Sequence, residues 1–263
     1  MGTSKSYSPG TGGAWSDVKG QITSRLSGSR DVPIRGLVGD SVRAAGGVGV
    51  GGRTRGARSR GGTGGGGGGG AARAIGPVVG GLGGFGLAVR DKGLAEGLNQ
   101  LGLQELVGKS AVEVVATIAE QLAATVDGLD GDLMKTALRE AILDASALGD
   151  RDGFQDMEKG LQSFLNENGV AGLVELFLCR FVFDAVWINF EAYVQSKSSD
   201  ENAYVAFMDA VESVCESEVR GTIDELRNNG EFESLDWFGE GGQQIGRSIF
   251  ETIDTRLRAM GGE

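Results

Sequence analysis

The side chains that most often carry catalysis or bind metals are scarce in this chain of 263 residues. It contains no histidine and only two cysteines, Cys179 and Cys215. The lack of histidine excludes a Ser-His-Asp or Cys-His nucleophile and a His-ligated metal, and two cysteines are too few for a structural zinc site. Both cysteines fall on apolar faces of predicted helices, so we expect reduced, buried thiols. We predict no metal site and no cofactor.

Two short motifs suggest ligand binding, but each has the wrong residue at a position that its motif requires. Gly108-Lys109-Ser110 resembles the end of a phosphate-binding loop, but Leu103 stands where that motif needs its first glycine. The acidic run from Asp150 to Asp156 resembles a calcium loop, but its fifth and twelfth positions are Phe154 and Leu161. Helix-capping aspartates explain this run better, so the sequence predicts no enzyme.

The first residues form a different kind of candidate site. The chain begins Met1-Gly2-Thr3-Ser4-Lys5, and we expect removal of Met1 to leave Gly2 as an unhindered terminal amine. We therefore name Gly2, Thr3, Ser4 and Lys5 as candidates for modification or docking. The same letters fit the loose myristoylation pattern, and an ordinary flexible start is the third interpretation.

Glycine and charge divide the chain into two unlike parts. Residues 1–90 hold 29 of the 48 glycines, 12 basic and 3 acidic residues, which gives +9, whereas residues 91–263 hold 13 basic and 33 acidic residues, which gives −20. A glycine-rich segment with few apolar residues buries too little surface to offset its ordering entropy. We predict a mostly disordered tail over 1–86 and an acidic helical domain over 87–263.

The tail itself contains two features that suggest binding. Trp15, Val18, Ile22 and Leu26 have the spacing of one short amphipathic helix, and Trp15 is the natural anchor if the tail docks on a partner. Further along, a cluster resembles RGG-type segments that bind nucleic acid, although a solubilising linker or attraction to the acidic body explains it as well. That cluster contains Arg53, Arg55, Arg58 and Arg60.

The body shows helical periodicity and no sustained two-residue alternation. We predict an all-α fold of about five to seven helices around a central apolar helix at 172–195, where an Arg180–Asp184 surface ion pair is expected. Ser110, Asp130 and a Ser198/Glu201 capping box are the candidate helix starts. The other predicted helices span 111–126, 131–148, 200–228 and 243–260.

Taken together, the opening Met1-Gly2-Thr3-Ser4-Lys5-Ser6-Tyr7, the Arg-bearing glycine-rich tail and the acidic helical body resemble the QatB family. The first seven residues carry the specific part of this resemblance. It implies a non-enzymatic component of the bacterial four-gene Qat anti-phage system. The implied partners are a QatA-like P-loop ATPase, a QatC-like enzyme of the QueC family and a QatD-like nuclease.

The leading interpretation is therefore a cytoplasmic, non-catalytic adaptor whose N-terminal tail docks into, or is modified by, the QueC-like partner. QueC-like enzymes activate a carboxylate with ATP and join it to an amine, and the resemblance implies that Gly2 supplies such an amine. The alternative is an RGG-type nucleic-acid-binding protein with an acidic regulatory domain. Charges within the central helix argue against a membrane span, and no segment near the start has the apolar core of a signal peptide.

Overall fold

The computed structural model describes residues 12–49, 69–148, 152–232 and 235–262. The regular structure of these ranges is entirely helical, which confirms the predicted all-α class. A short 3-10 helix at Gln104–Leu106 lies between α4 and α5. The α-helices are α1 (Gly13–Leu26), α2 (Ile34–Ala45), α3 (Gly69–Lys92), α4 (Leu94–Gln100), α5 (Ala111–Leu122), α6 (Gly128–Ser146), α7 (Phe154–Trp187), α8 (Glu191–Lys197), α9 (Glu201–Asn228) and α10 (Glu240–Ala259).

The caps of the body helices agree only partly with the sequence. Ser110 caps α5 as predicted, because its hydroxyl accepts a hydrogen bond from the Glu113 amide. Asp152 also supports this helix start, since its carboxylate accepts from the Val112 amide. Two predicted starts are wrong. Helix α6 begins earlier, at Gly128, which leaves Asp130 buried in its first turn, and Asp200 rather than Ser198 caps α9 by accepting from the Ala203 amide.

The predicted central helix is the second half of the longer helix α7. Gly169 has φ 67° and ψ 180°, which bends the helix about halfway along its length. From Val170 to Trp187 most side chains are buried, and they pack against α3, α6 and α9. The apolar stretch therefore lies in the core as predicted, although α7 ends at Trp187 and a separate helix, α8, follows.

Helix α3 is a second central helix, and it lies largely in the segment predicted to be tail. It contains eight glycines, each about 1 kcal/mol less favourable than alanine in a helix, so tertiary packing must stabilise it. Most of its large apolar residues are fully buried, among them Ile75, Leu82 and Phe85. Its glycines let α10 approach closely: an added Cβ on Gly76 would lie 2.6 Å from the Gln243 carbonyl oxygen.

Helices α1 and α2 also lie within the predicted tail and pack on the body. Leu37 and Val38 of α2 are fully buried, and Arg35 pairs with Glu218 of α9 at 2.8 Å. The Val48 amide donates to the Asp254 carboxylate of α10 at 2.7 Å. Residues 27–45 and 69–86 thus differ from the predicted tail, and α1, whose helical spacing was predicted, packs on the body as well, because composition counts glycines and charges but does not reveal which residues a fold buries.

No helix within the described ranges is both long enough and apolar enough to cross a membrane.

Candidate functional site

The N-terminal arm, residues 1–11, carries the candidate modification site. Gly2, Thr3, Ser4 and Lys5 lie outside the described residues. The structure describes the segment that follows this site, which is helix α1, beginning at Gly13. The candidate nucleic-acid contacts Arg53, Arg55, Arg58 and Arg60 also lie outside the described residues.

Helix α1 is fixed to the body by one apolar stripe. Trp15, Val18 and Ile22 follow the predicted helical spacing, and all three are buried, with 4% of Trp15 exposed. The predicted helix is thus confirmed, and its tryptophan packs into the core of its own chain. The partner-docking role expected of Trp15 would require exposure that the structure does not give this side chain. Trp15 instead holds the attachment point of the N-terminal arm.

Polar contacts reinforce this attachment along the seam between α1 and α8. The hydroxyls of Thr23 and Tyr193 are 2.9 Å apart. Across this seam, Lys19 places its ammonium group 5.5 Å from the centre of the Tyr193 ring, and Lys197, on the same helix as Tyr193, places its own 5.8 Å away; both distances are within cation–π range. On the other side of α1, the Gln21 amide donates to the Asp40 carboxylate of α2 at 2.9 Å. Helix α1 is therefore held from two neighbouring helices.

An open cleft of about 440 Å³ lies where the end of α1 meets the start of α9. Leu26, Ala203, Ala206 and Phe207 give it apolar walls, and Arg25, Arg30 and Asp31 give it charged ones. The Arg25 guanidinium donates to the Val32 carbonyl oxygen. Such a mixture suits contact with a peptide side chain.

The two thiols have the environment that the sequence predicted. Cys179 and Cys215 are free and buried. Burial, together with nearby glutamates, raises the pKa of Cys179 to about 12 and also raises the pKa of Cys215. Both thiols therefore stay protonated near neutral pH, and a protonated thiol is a poor nucleophile.

Arg180 is surrounded by acidic residues, and its ion-pair partners differ from the one that the sequence predicted. The prediction paired Arg180 with Asp184, one turn along the same helix. Instead its guanidinium reaches across to Glu140 and Asp144 of α6 and Glu212 of α9, at 3.8, 3.4 and 3.1 Å. Burial raises the pKa of Asp184 to about 6. Glu140 and Glu212 also raise it, and Arg180 opposes them. This cluster ties three helices together.

Glu175 is the other charged group on the apolar part of α7, and it pairs with two arginines of α9. Its carboxylate oxygens lie 3.6 Å from Arg220 and 3.3 Å from Arg227.

In the ranges that the structure describes, no group of three or more Cys, Asp or Glu side chains is arranged to hold a metal ion.

Comparison with known proteins gives one match. A family model described as "Qat anti-phage system associated protein QatB" matches residues 66–253, which is more than half of the chain. The matched region begins three residues before α3 and ends within α10, so α1 and α2 precede it. No curated protein and no solved structure matches the chain.

Proposed function

Because this chain belongs to the QatB family of the Qat anti-phage system, we propose that it is a non-catalytic adaptor of that system. In this proposal its N-terminal arm docks into, or is modified by, a QueC-like partner enzyme. Its helical body contacts a QatA-like ATPase and a QatD-like nuclease. The membership makes the chain one component of a multi-component defence system, and the adaptor role is the proposal.

The observation that carries this proposal is the fixed position of α1. The helix that follows the N-terminal arm is held by Trp15, Val18 and Ile22 in the core and by the Thr23–Tyr193 contact at its edge. Ten peptide bonds separate residues 2 and 12. Their Cα atoms can therefore be at most about 36 Å apart. A partner that binds the body near α1 lies within reach of Gly2.

The chemistry of Gly2 fits an acyl acceptor. A terminal α-amine has a pKa of about 7.7–8.0, compared with about 10.4 for lysine, so much more of it is unprotonated at neutral pH. Attack on an adenylated carboxylate would form an amide bond, break the bond between the acyl group and AMP, and release AMP and a proton. The QueC-like partner would supply the activated carboxylate, and glycine has no side chain to obstruct the attack.

Intact mass spectrometry tests the proposal directly. The full chain is expressed alone and together with the other three components, and Lys5 gives a short tryptic peptide, residues 2–5, that isolates the candidate site. We expect a mass gain on this peptide only when the QueC-like enzyme is present. Gly2→Pro or an added N-terminal tag should abolish both the mass gain and phage protection without changing the melting temperature.

Ser8→Ala serves as the matched control, because it alters the N-terminal arm beyond Lys5. Full protection by a chain whose N-terminus is shown by mass to be blocked would refute modification of Gly2. Loss of protection together with loss of folding would indicate a structural role for these residues.

A further inference from the structure

Exposed apolar side chains are concentrated on one helical hairpin. Five large hydrophobic side chains are substantially exposed among the described residues, and three of them belong to the segment from the 3-10 helix to the end of α6. They are Val107, Val112 and Leu143, with 49%, 63% and 38% of their surface exposed. Val112 is therefore more exposed than any other large hydrophobic residue in this part of the chain.

Ion pairs at the far end of the hairpin fix how α5 and α6 face each other. The Glu120 carboxylate of α5 contacts Lys135 at 2.6 Å and Arg139 at 2.8 Å, both on α6. Residues four apart share one face of a helix. Val112 lies two such steps before Glu120, and Leu143 lies one step after Arg139. The two helices run antiparallel, and the Ala111 and Val112 amides both donate to Asp152, which follows α6, so Val112 and Leu143 lie at the same end of the hairpin.

Apolar positions lie next to the charged contacts along α5. Ala116, one step after Val112 on α5, is half-buried and lies between Val112 and the Glu120 pairs. The core-facing sides of both helices are occupied, since Val115 and Ile118 of α5 and Ala141 and Ile142 of α6 are buried in the core. We define Val112, Ala116 and Leu143 as the hairpin patch, with Val107 beside it in sequence at the start of α5.

Charge identifies the kind of protein that fits this patch. Residues 104–148 contain eight acidic and three basic residues, a net charge of −5; Arg180 of α7 pairs with two of these acids, Glu140 and Asp144, and the surroundings of the patch remain acidic. A second copy of the chain would bring like charges together. The chain's own Arg53–Arg60 segment has the opposite charge but no large apolar side chain.

We propose that the hairpin patch binds another protein component of the same assembly. This component presents an apolar side chain flanked by lysine or arginine residues. The inference rests on the proposed function only in assuming that the chain assembles with other components. An apolar centre with a charged rim is the usual anatomy of a specific interface.

Site-specific crosslinking tests both the location and the chemistry of the partner. A photo-crosslinking residue replaces Val112 in the full chain, which is co-expressed with the other three components. The matched control carries the same residue at Val205, which is 40% exposed on α9. We expect the Val112 probe to yield one crosslinked component, attached at a peptide with a lysine or arginine within four residues of an apolar side chain.

A binding measurement gives the energetic test. The double variant Val112→Ser with Leu143→Ser should weaken the affinity for that component at least tenfold, and Val205→Ser should leave it unchanged. Both substitutions are at exposed positions, so circular dichroism and melting should match the unsubstituted protein. Raising the salt concentration should weaken binding of the unsubstituted chain, because the rim contacts are electrostatic.

Three results would overturn the proposal. These are an unchanged affinity in the double variant, crosslinks to an acidic peptide, and crosslinks to a second copy of the chain. Gly2→Pro separates this proposal from that of the N-terminal arm, because it should abolish the mass gain at Gly2 while leaving the Val112 crosslink intact. Failure of the unsubstituted chain to bind any component would refute both.

Discussion

Replacing Gly76 with alanine tests whether α3 and α10 touch through their backbones. An added Cβ at Gly76 would lie 2.6 Å from the Gln243 carbonyl oxygen of α10, below the 3.0 Å that real Cβ contacts essentially never undercut. The obstructing atom belongs to a helix backbone and cannot rotate away as a side chain would. Gly246, which follows Gln243 by three residues on α10, faces α3 in the same crossing, since its own added Cβ would be 3.3 Å from the Gly76 Cα.

Two opposing effects set the size of the change. Alanine is about 1 kcal/mol more favourable than glycine in a helix, whereas forcing extra volume into a packed contact costs about 1–3 kcal/mol or more. Since the two backbones must separate along a buried crossing, we expect the packing cost to exceed the helix preference. Gly76→Ala should therefore lower the free energy of unfolding by up to about 2 kcal/mol, the packing cost less the helix preference.

Gly221→Ala is the matched control, because Gly221 lies inside α9 and its added Cβ would meet only the Arg256 guanidinium, at 3.7 Å. It should raise the unfolding free energy by about 0.5–1 kcal/mol. For a chain of this size 1 kcal/mol corresponds to about 2–4 °C in melting temperature. Thermal and urea unfolding of both variants should give shifts of opposite sign. A Gly76→Ala protein as stable as Gly221→Ala would refute the close backbone crossing.

Two further predictions concern charge. Because the pKa of Asp184 is raised to about 6 in the folded protein, above its ordinary 3.8, the folded state binds more protons between these values, and its stability falls as the pH rises through that window. Asp184→Asn should reduce that fall and raise stability at pH 7, and equal urea midpoints for the variant and the parent at pH 7 would contradict the assignment. The basic cluster should bind single-stranded nucleic acid only weakly, with a salt slope near −3 if all four arginines contact phosphate. Tight binding at physiological salt that is lost when all four are changed to serine would favour the nucleic-acid alternative for Arg53, Arg55, Arg58 and Arg60.

Much of the body could be predicted from the sequence because apolar residues recur with the helical period. This spacing located α5, α6, α9 and α10 to within a few residues, and it identified the buried half of α7. It also identified α1 from Trp15, Val18 and Ile22. Local chemistry gave the Ser110 cap, because a cap depends on residues only three positions apart.

Ion-pair partners could not be predicted in the same way. Arg180 and Asp184 are neighbours on one helix, and the sequence offers no nearer partner. In the folded chain, α6 and α9 bring Glu140, Asp144 and Glu212 within reach of Arg180. A long guanidinium side chain pairs with whatever carboxylates the packing supplies, so only the tertiary structure decides the pair.

The sequence by itself determined the helical class and the acidic charge of the body, because these depend on residue types and on spacing along one helix. Only the tertiary structure decided that α1, α2 and α3 join the core. Glycine destabilises a helix in isolation, so a glycine-rich segment resembles a flexible tail. When a second helix approaches, the missing Cβ becomes an advantage, and Gly76 and Gly80 allow α10 to pack directly against the backbone of α3.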